Sequence, residues 1–377
     1  MTKFLRWYKE LILPAGLLSA LIIGAGMFAL PYVFVKAGFL AGFLYLVLGA
    51  AIFSTLHVMY AEVIELTPGK HRFVGYAEIY LGRAGKWMSI VAVLLGIILT
   101  LTIYLILSAS FIKLLAPDLS STISVLIFWT LGSAVVLMSL NRLANFEFAV
   151  TLAMVGIVAI LFILGFTRTD LGTLSSLPVI NPNQLLLPYG VVLFSLAGRA
   201  AISSVKEYFF KRGLDGKKFK RAIIWGTITP TVVYAFFVLA IIWLSPGGVT
   251  EDAVSGIQIS FPGVMGLIGL LGFFVIWTSY FFLGIEARDI LRYDFKIPLL
   301  AASILIVFLP LILYFWSSQN LIWFISIAGG IFLALESILI LLIRRRLRPI
   351  GIWGHFIILL LLSGIVYEVF TNLPLPS

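Results

Sequence analysis

The chain contains no cysteine. That removes disulfides, thiolate metal centres and cysteine nucleophiles, and it leaves the redox compartment unmarked. Charge is scarce too. Asp, Glu, Lys and Arg make up 11% of the 377 residues, against roughly 25% in a soluble domain. The three histidines, His57, His71 and His355, lie far apart, and the 16 acidic residues include no aspartate-rich motif. A membrane-embedded enzyme such as a lipid or prenyl transferase needs an acidic metal cluster or a His/Asp set at the interface, so no enzyme is expected. Repeated polar rings of the kind that line a channel are missing as well. A transporter-derived sensor would carry a long terminal domain, and a stripped-down carrier is expected instead.

Apolar surface is what the chain has in excess. Hydrophobic residues reach 62% and phenylalanine alone counts 31; mean hydropathy is +1.14. A water-soluble fold of this size cannot hide so much of it. The 33 glycines suit close helix packing in lipid. Eleven segments reach the roughly 20 apolar residues that a membrane helix needs: 11–35, 39–64, 87–115, 121–140, 146–166, 187–205, 222–244, 263–285, 297–316, 321–343 and 352–370. The runs are continuous, which excludes the alternation of a β-barrel. The first is too long for a signal peptide and lacks a small-residue cleavage site. The expectation is an all-α integral membrane protein, one transmembrane domain over 1–377.

Basic residues orient it. If the N-terminus is cytoplasmic, alternate loops place all 26 Lys and Arg on that side except Lys36, Lys113, Arg168 and Arg199, as the positive-inside rule requires. The net charge of +10 is therefore an orientation marker, and the expected partner is the lipid bilayer, with no nucleic acid. The expected location is the plasma (inner) membrane, with the C-terminus external.

Spans one to five occupy 11–166 and spans six to ten occupy 187–343, with 352–370 left as an extra helix. Five is odd, so the second set starts from the opposite face, and the two halves form an inverted repeat. The first span of each half carries an irregularity. Span 1 has Gly24-Ala25-Gly26 with Pro31 beyond it; span 6 has Ser195-Leu196-Ala197-Gly198-Arg199. Glycine weakens a helix by about 1 kcal/mol against alanine, and proline removes a hydrogen bond. Matched interruptions in two inverted halves point to a transporter's binding site.

The stretch Ile22-Ile23-Gly24-Ala25-Gly26-Met27-Phe28-Ala29-Leu30-Pro31-Tyr32, followed by Lys36-Ala37-Gly38, resembles the span-1 signature of the amino acid/auxin permease family. Leu193-Phe194-Ser195-Leu196-Ala197-Gly198 through Ala201-Ile202-Ser203-Ser204-Val205-Lys206-Glu207 is similar to that family's span 6. Ile202-Ser203 stands where the family often has a proline, and Arg199 is unusual there. The family lies in the amino acid–polyamine–organocation superfamily. The resemblance implies a LeuT-like 5+5 inverted-repeat transporter with an extra eleventh helix. It also implies a secondary active transporter that moves an L-amino acid by alternating access, coupled to Na+ or H+. The alternatives are an ion-independent exchanger or facilitator, or an amino acid sensor.

For an amino acid substrate the chemistry of the breaks is direct. The N-terminus of the second half of span 1, at Gly24, Ala25 and Gly26, offers free N–H groups and a positive dipole end to a carboxylate. Unwound carbonyls around Ser195, Leu196, Ala197 and Gly198, and at Ile23, offer acceptors to an ammonium. Tyr104 in span 3 stands near where related transporters place a ring or hydroxyl over the substrate. Phe28 and Phe194 suit a neutral, large or aromatic side chain. The resemblance also carries over a candidate Na+ site formed by Ala20, Ile23, Val275, Thr278 and Ser279, the only cofactor expected. Among ionisable groups near the spans, Arg199 is read as a gate residue paired with Glu147 or Glu336; contact with the substrate carboxylate, or a fixed cation in a sodium-independent carrier, stays open. Glu336 is either that partner or a proton carrier. His57 is expected to pack with a hydrogen bond, and Glu62 and Glu65 to be solvated. Glu368 is a further intramembrane acid.

Overall fold

A computed structural model describes residues 7–69, 71–138, 144–167, 177–212, 216–258 and 262–372. Among these the regular elements are helices throughout. Lipid offers backbone groups no hydrogen bonds, so each spanning segment satisfies its own. Nine helices are long and apolar enough to cross a bilayer, one bent pair forms a further crossing, and Ser121–Leu137 is a shorter apolar helix, all among the described residues. Each expected span has its counterpart.

The elements run α1 (Leu13–Ile22), α2 (Gly26–Ala37), α3 (Phe39–Leu66), α4 (Phe73–Leu115), α5 (Ser121–Met138), α6 (Ala144–Thr167), α7 (Pro188–Leu196) and α8 (Arg199–Lys211). They continue with α9 (Gly216–Leu244), α10 (Pro262–Tyr293), α11 (Leu299–Trp316), α12 (Leu321–Ile327), α13 (Ala334–Leu347) and α14 (Gly351–Asn372). Helix α4 packs along α10, and α9 packs on α1, α3 and α6. The apolar stretch of α4 is 67% buried and that of α14 only 22%, so α14 lies against the bundle's outside.

Both expected interruptions are present, and they differ. Helices α1 and α2 meet at 66°, because Ile23 takes an extended conformation (φ −71°, ψ 94°) and ends the first helix. Helices α7 and α8 are separated by only two residues, Ala197 (ψ 126°) and Gly198 (φ −148°), and form one interrupted span without a sharp bend. The breaks touch. A methyl group on Gly26 would lie 2.5 Å from the Ser195 Cα, and one on Gly198 would lie 2.5 Å from Ile22 Cγ1. Here glycine serves close approach.

Two features depart from the expected spans. Span 3 begins early, at Phe73, because a first helical stretch turns a corner into the membrane at Gly82 (φ 70°), a left-handed conformation that favours glycine. Span 10 is not a plain helix: Ala328–Leu333 is a π-helical segment between α12 and α13. Its Gly329 packs directly on the Gly190 carbonyl of α7. Such π-turns often mark functional positions.

Gly26→Ala pushes a methyl into the Ser195 backbone, which cannot rotate away. It is expected to cost about 1–3 kcal/mol by overpacking, read as a lower unfolding temperature of the purified protein. Gly156→Ala, where a methyl meets open space, is expected to be neutral or slightly stabilising. Equal unfolding temperatures would contradict the close contact of the breaks.

Candidate functional site

The two interruptions border a cavity of about 410 Å³. Gly24, Ala25 and Gly26 line it from the first break, Ala197 and Gly198 from the second. Helix α4 contributes Ala92, Gly96, Thr100 and Tyr104, small residues at helical spacing that leave room, ending in a ring. Helix α10 contributes Ser279, Phe282, Leu283, Glu286 and Asp289, again one helical face. Tyr60, Phe73 and Phe194 add rings. The cavity extends toward Arg72 and Asp289, on the side where the basic loops gather.

Of the residues expected at a substrate site, Gly24, Ala25, Gly26, Tyr104, Ala197 and Gly198 face this cavity. A methyl on Gly24 would lie 3.8 Å from the Ser279 Oγ and 3.9 Å from the Tyr104 hydroxyl, so these three groups converge. Ile23, Ser195 and Leu196 are brought to the breaks without lining the cavity. The Ser195 hydroxyl donates to the Val191 carbonyl at 2.7 Å, and Leu196 is core. Phe28 is not at the cavity wall either. It packs edge-on to Phe111 and Phe237, with centroids 4.8 and 5.7 Å away.

Tyr234, on α9, joins the breaks. Its hydroxyl lies 2.7 Å from the Ile22 carbonyl and 3.0 Å from the Ser195 carbonyl. A phenol has one proton, shared between the last turn of α1 and the last turn of α7. Both carbonyls are ones that a broken helix leaves without an internal partner. No sequence signal marks Tyr234, since a tyrosine inside an apolar span reads as packing.

Among the proposed cation ligands, the Thr278 hydroxyl donates back to the Val275 carbonyl at 3.0 Å, which turns its lone pairs outward. Ser279 faces Gly24. The carbonyls of Ala20 and Ile23 accept no hydrogen bond among the described residues, while the Ile23 N–H donates to the Ser19 carbonyl at 2.8 Å.

Arg199 opens α8 at the cavity's edge with its side chain 12% exposed. Its Nε pairs with Glu336, and its Nη2 lies 3.0 Å from Glu286 Oε1. Its guanidinium also stands 4.8 Å from the Phe73 ring centre. The pairing with Glu336 agrees with the sequence; the side chain of Glu147 lies outside the described residues. Sequence reasoning passes over Glu286 because it falls one residue beyond the expected span. A signal exists: it sits seven residues, two turns, past Ser279 on the same face. Deeper in the basic side, Glu62 is not solvated as expected but bridges Lys220 at 2.5 Å and Arg344 at 2.6 Å. Glu65 pairs with Lys206 at 3.2 Å. His57 is a packing residue: Thr227 gives its proton to the Ile223 carbonyl and accepts from His57 Nδ1 at 2.9 Å. Among the described residues no group of three or more His, Asp or Glu is arranged to hold a metal ion.

The fold is that of the LeuT-type transporters. It is similar to the crystal structure of MhsT in complex with L-phenylalanine, at 15% identity, covering 94% of this chain and 97% of that one with a TM-score of 0.70. It is also similar to the Eremococcus coleocola manganese transporter in complex with an aromatic bis-isothiourea substituted compound, at 12% identity over 100% of this chain and 90% of that one, TM-score 0.63. No curated protein matches by sequence. The profile of the tryptophan/tyrosine permease family matches residues 9–343. A broken-helix cavity walled by aromatic rings thus sits in a chain that belongs to the tryptophan/tyrosine permease family.

Proposed function

We propose that this amino acid transporter carries a neutral amino acid with a large aromatic side chain by alternating access, coupled to Na+ or H+. One observation carries the reading: a single cavity is lined both by two interrupted helices and by aromatic rings. Its volume falls in the roughly 300–1,000 Å³ range of small-molecule sites. Ala25 is the N-cap of α2, so the N–H groups of its first turn and the helix dipole point toward the break and suit a carboxylate. The Ser195 carbonyl is engaged by Tyr234, so the acceptor for the ammonium shifts to the Ala197 carbonyl and the Ser279 hydroxyl. Phe194, Phe282 and Tyr104 then face the side chain. The breaks themselves carry no acidic residue, which disfavours a cationic substrate. The family's name and the L-phenylalanine bound in MhsT support an aromatic one.

The Ala20 and Ile23 carbonyls, with Val275, Thr278 and Ser279, are the candidate Na+ ligands. Neutral oxygens from two helices suit a partly dehydrated monovalent cation. Arg199 with Glu336 and Glu286 is read as a gate on the basic side. The repeats 11–166 and 187–343, with 352–370 appended, are inferred from the paired breaks. A cytoplasmic N-terminus in the plasma membrane is inferred from the basic loops, which makes the cavity inward-facing. The kinship with the amino acid/auxin permease family rests on the span-1 motif.

Proteoliposomes are expected to accumulate labelled L-tryptophan under an imposed Na+ or proton gradient. Unlabelled tyrosine and phenylalanine are expected to compete, and aspartate and lysine are not. No accumulation of any amino acid by folded protein would overturn the reading. If Na+ is the coupling ion, the Thr278→Ala/Ser279→Ala double variant loses Na+ dependence; retained dependence refutes the site.

Arg199→Met leaves the buried Glu336 and the partly exposed Glu286 without their cation. Breaking a buried pair from one side costs about 3–5 kcal/mol, so a marked fall in unfolding temperature is expected. Adding Glu336→Gln is expected to recover part of it, with L-tryptophan binding retained. Lost binding in the stable double variant would assign Arg199 to the substrate carboxylate instead.

A further inference from the structure

A second cavity of about 500 Å³ lies on the opposite side of the breaks from Arg72 and Asp289. Tyr32, Lys36, Glu251, Asn320 and Trp323 line it, and Glu368 of α14 borders it. Glu368 is only 1% exposed. Among the described residues no Lys, Arg or His pairs with it. Its carboxylate accepts from the Asn372 amide at 2.6 Å and lies against Gly190, the third residue of α7. Glycines make its berth. A methyl on Gly190 would lie 2.8 Å from Glu368 Oε1, and one on Gly330, in the π-helical segment, 2.5 Å from its Cγ.

An acid inside a membrane protein is costly to keep and is a functional hypothesis by default. This one lies at the N-terminus of α7, where the helix dipole favours a negative charge. The other end of α7 is the Ala197–Gly198 break at the substrate cavity. One carboxylate therefore fastens the half-helix whose far end borders the substrate.

We propose that Glu368 is a proton-binding site reached from the second cavity, and that its occupancy is linked to the position of α7 in the transport cycle. A hydronium ion in the cavity gives its proton to a carboxylate oxygen and leaves water. The neutral acid carries no charge for the α7 dipole to hold, and the charge–dipole hold on α7 is released. Loss of the proton restores it. The other ionisable groups around Glu368 come from several helices, and from α3 Tyr45 stands beside Tyr189 and Tyr367. From α2, Lys36 and Tyr32 line the cavity, with the ammonium 5.4 Å from the Tyr32 ring centre. Glu251 lines it from the loop after α9, and Tyr367 from α14 itself. From α7, Tyr189 donates to the Leu361 carbonyl at 3.1 Å. Helix α13 brings Glu336, bound to Arg199, and Arg344, bound to Glu62. Helix α12 and the π-helical segment bring none.

This site rests on the transport reading for its purpose, but its protonation can be read without transport. Infrared difference spectra of the purified wild type between alkaline and acid pH are expected to show a protonated-carboxyl band that Glu368→Gln removes and Glu251→Gln leaves. In proteoliposomes, Glu368→Gln is expected to keep L-tryptophan counterflow while losing the response to a proton gradient. A band that survives in Glu368→Gln, no band at any pH in the wild type, or an unchanged gradient response overturns the proposal. If Glu368→Gln fails to fold, Asn372→Leu retains the carboxyl and removes its amide donor; the midpoint of the band is then expected to move, and an unmoved midpoint overturns the proposal. If the wild type moves no amino acid, the transport reading falls while the infrared band still decides the role of Glu368.

Discussion

Backbone that leaves the helix inside a bilayer must find partners within the protein, and here one hydroxyl supplies two of them. Tyr234 takes the terminal carbonyls of α1 and α7 on a single oxygen. Because the same group serves both breaks, their separation is set by one side chain. The close passages of Gly26 on Ser195 and of Gly198 on Ile22 follow from that spacing. The cavity lies beside the two clasped ends. Elsewhere the helices satisfy themselves, which is why the polar chemistry of this amino acid transporter concentrates where they stop.

The charged groups fall at the two ends of that arrangement. On the basic side, Arg199 holds Glu336 and Glu286, so α8 is tied to α13 and α10. On the other side, the Glu368 carboxylate of α14 lies against Gly190 at the start of α7. The interrupted sixth span is thus gripped at its outer end by an acid and beside its break by a base. Each half of that span meets a different charged contact, and exchanging such contacts is one route between two states.

Much of this was legible in the residues. Long apolar runs announced the spans, basic loops their alternation, and Gly24-Ala25-Gly26 the first break, because each depends on local composition. The Arg199–Glu336 pair was legible because a buried cation demands an acid. What was not legible depended on three-dimensional neighbours. Tyr234 differs from a packing tyrosine only by what lies across from it. The π-helical segment at Ala328–Leu333 packs its Gly329 on Gly190 of α7, a contact between distant parts of the chain. Phe28, at helical spacing from the break, points into the core rather than the cavity because the bend at Ile23 re-aims α2. Glu62 looked solvated because its partners, Lys220 and Arg344, are far away in sequence. The LeuT-type fold was likewise within reach of the span-1 motif, whereas membership of the tryptophan/tyrosine permease family needed the match over residues 9–343.

The dependence of the site on one hydroxyl can be measured directly. Equilibrium binding of labelled L-tryptophan to the purified wild type and to Tyr234→Phe compares a site with and without the shared clasp. Leaving a buried carbonyl without its donor costs about 1–3 kcal/mol, and the breaks are then free to drift from the substrate's two charged groups. The account predicts binding weakened by about tenfold or more, since about 1.4 kcal/mol corresponds to a factor of ten, in a variant that remains folded. Wild-type affinity in folded Tyr234→Phe would contradict it.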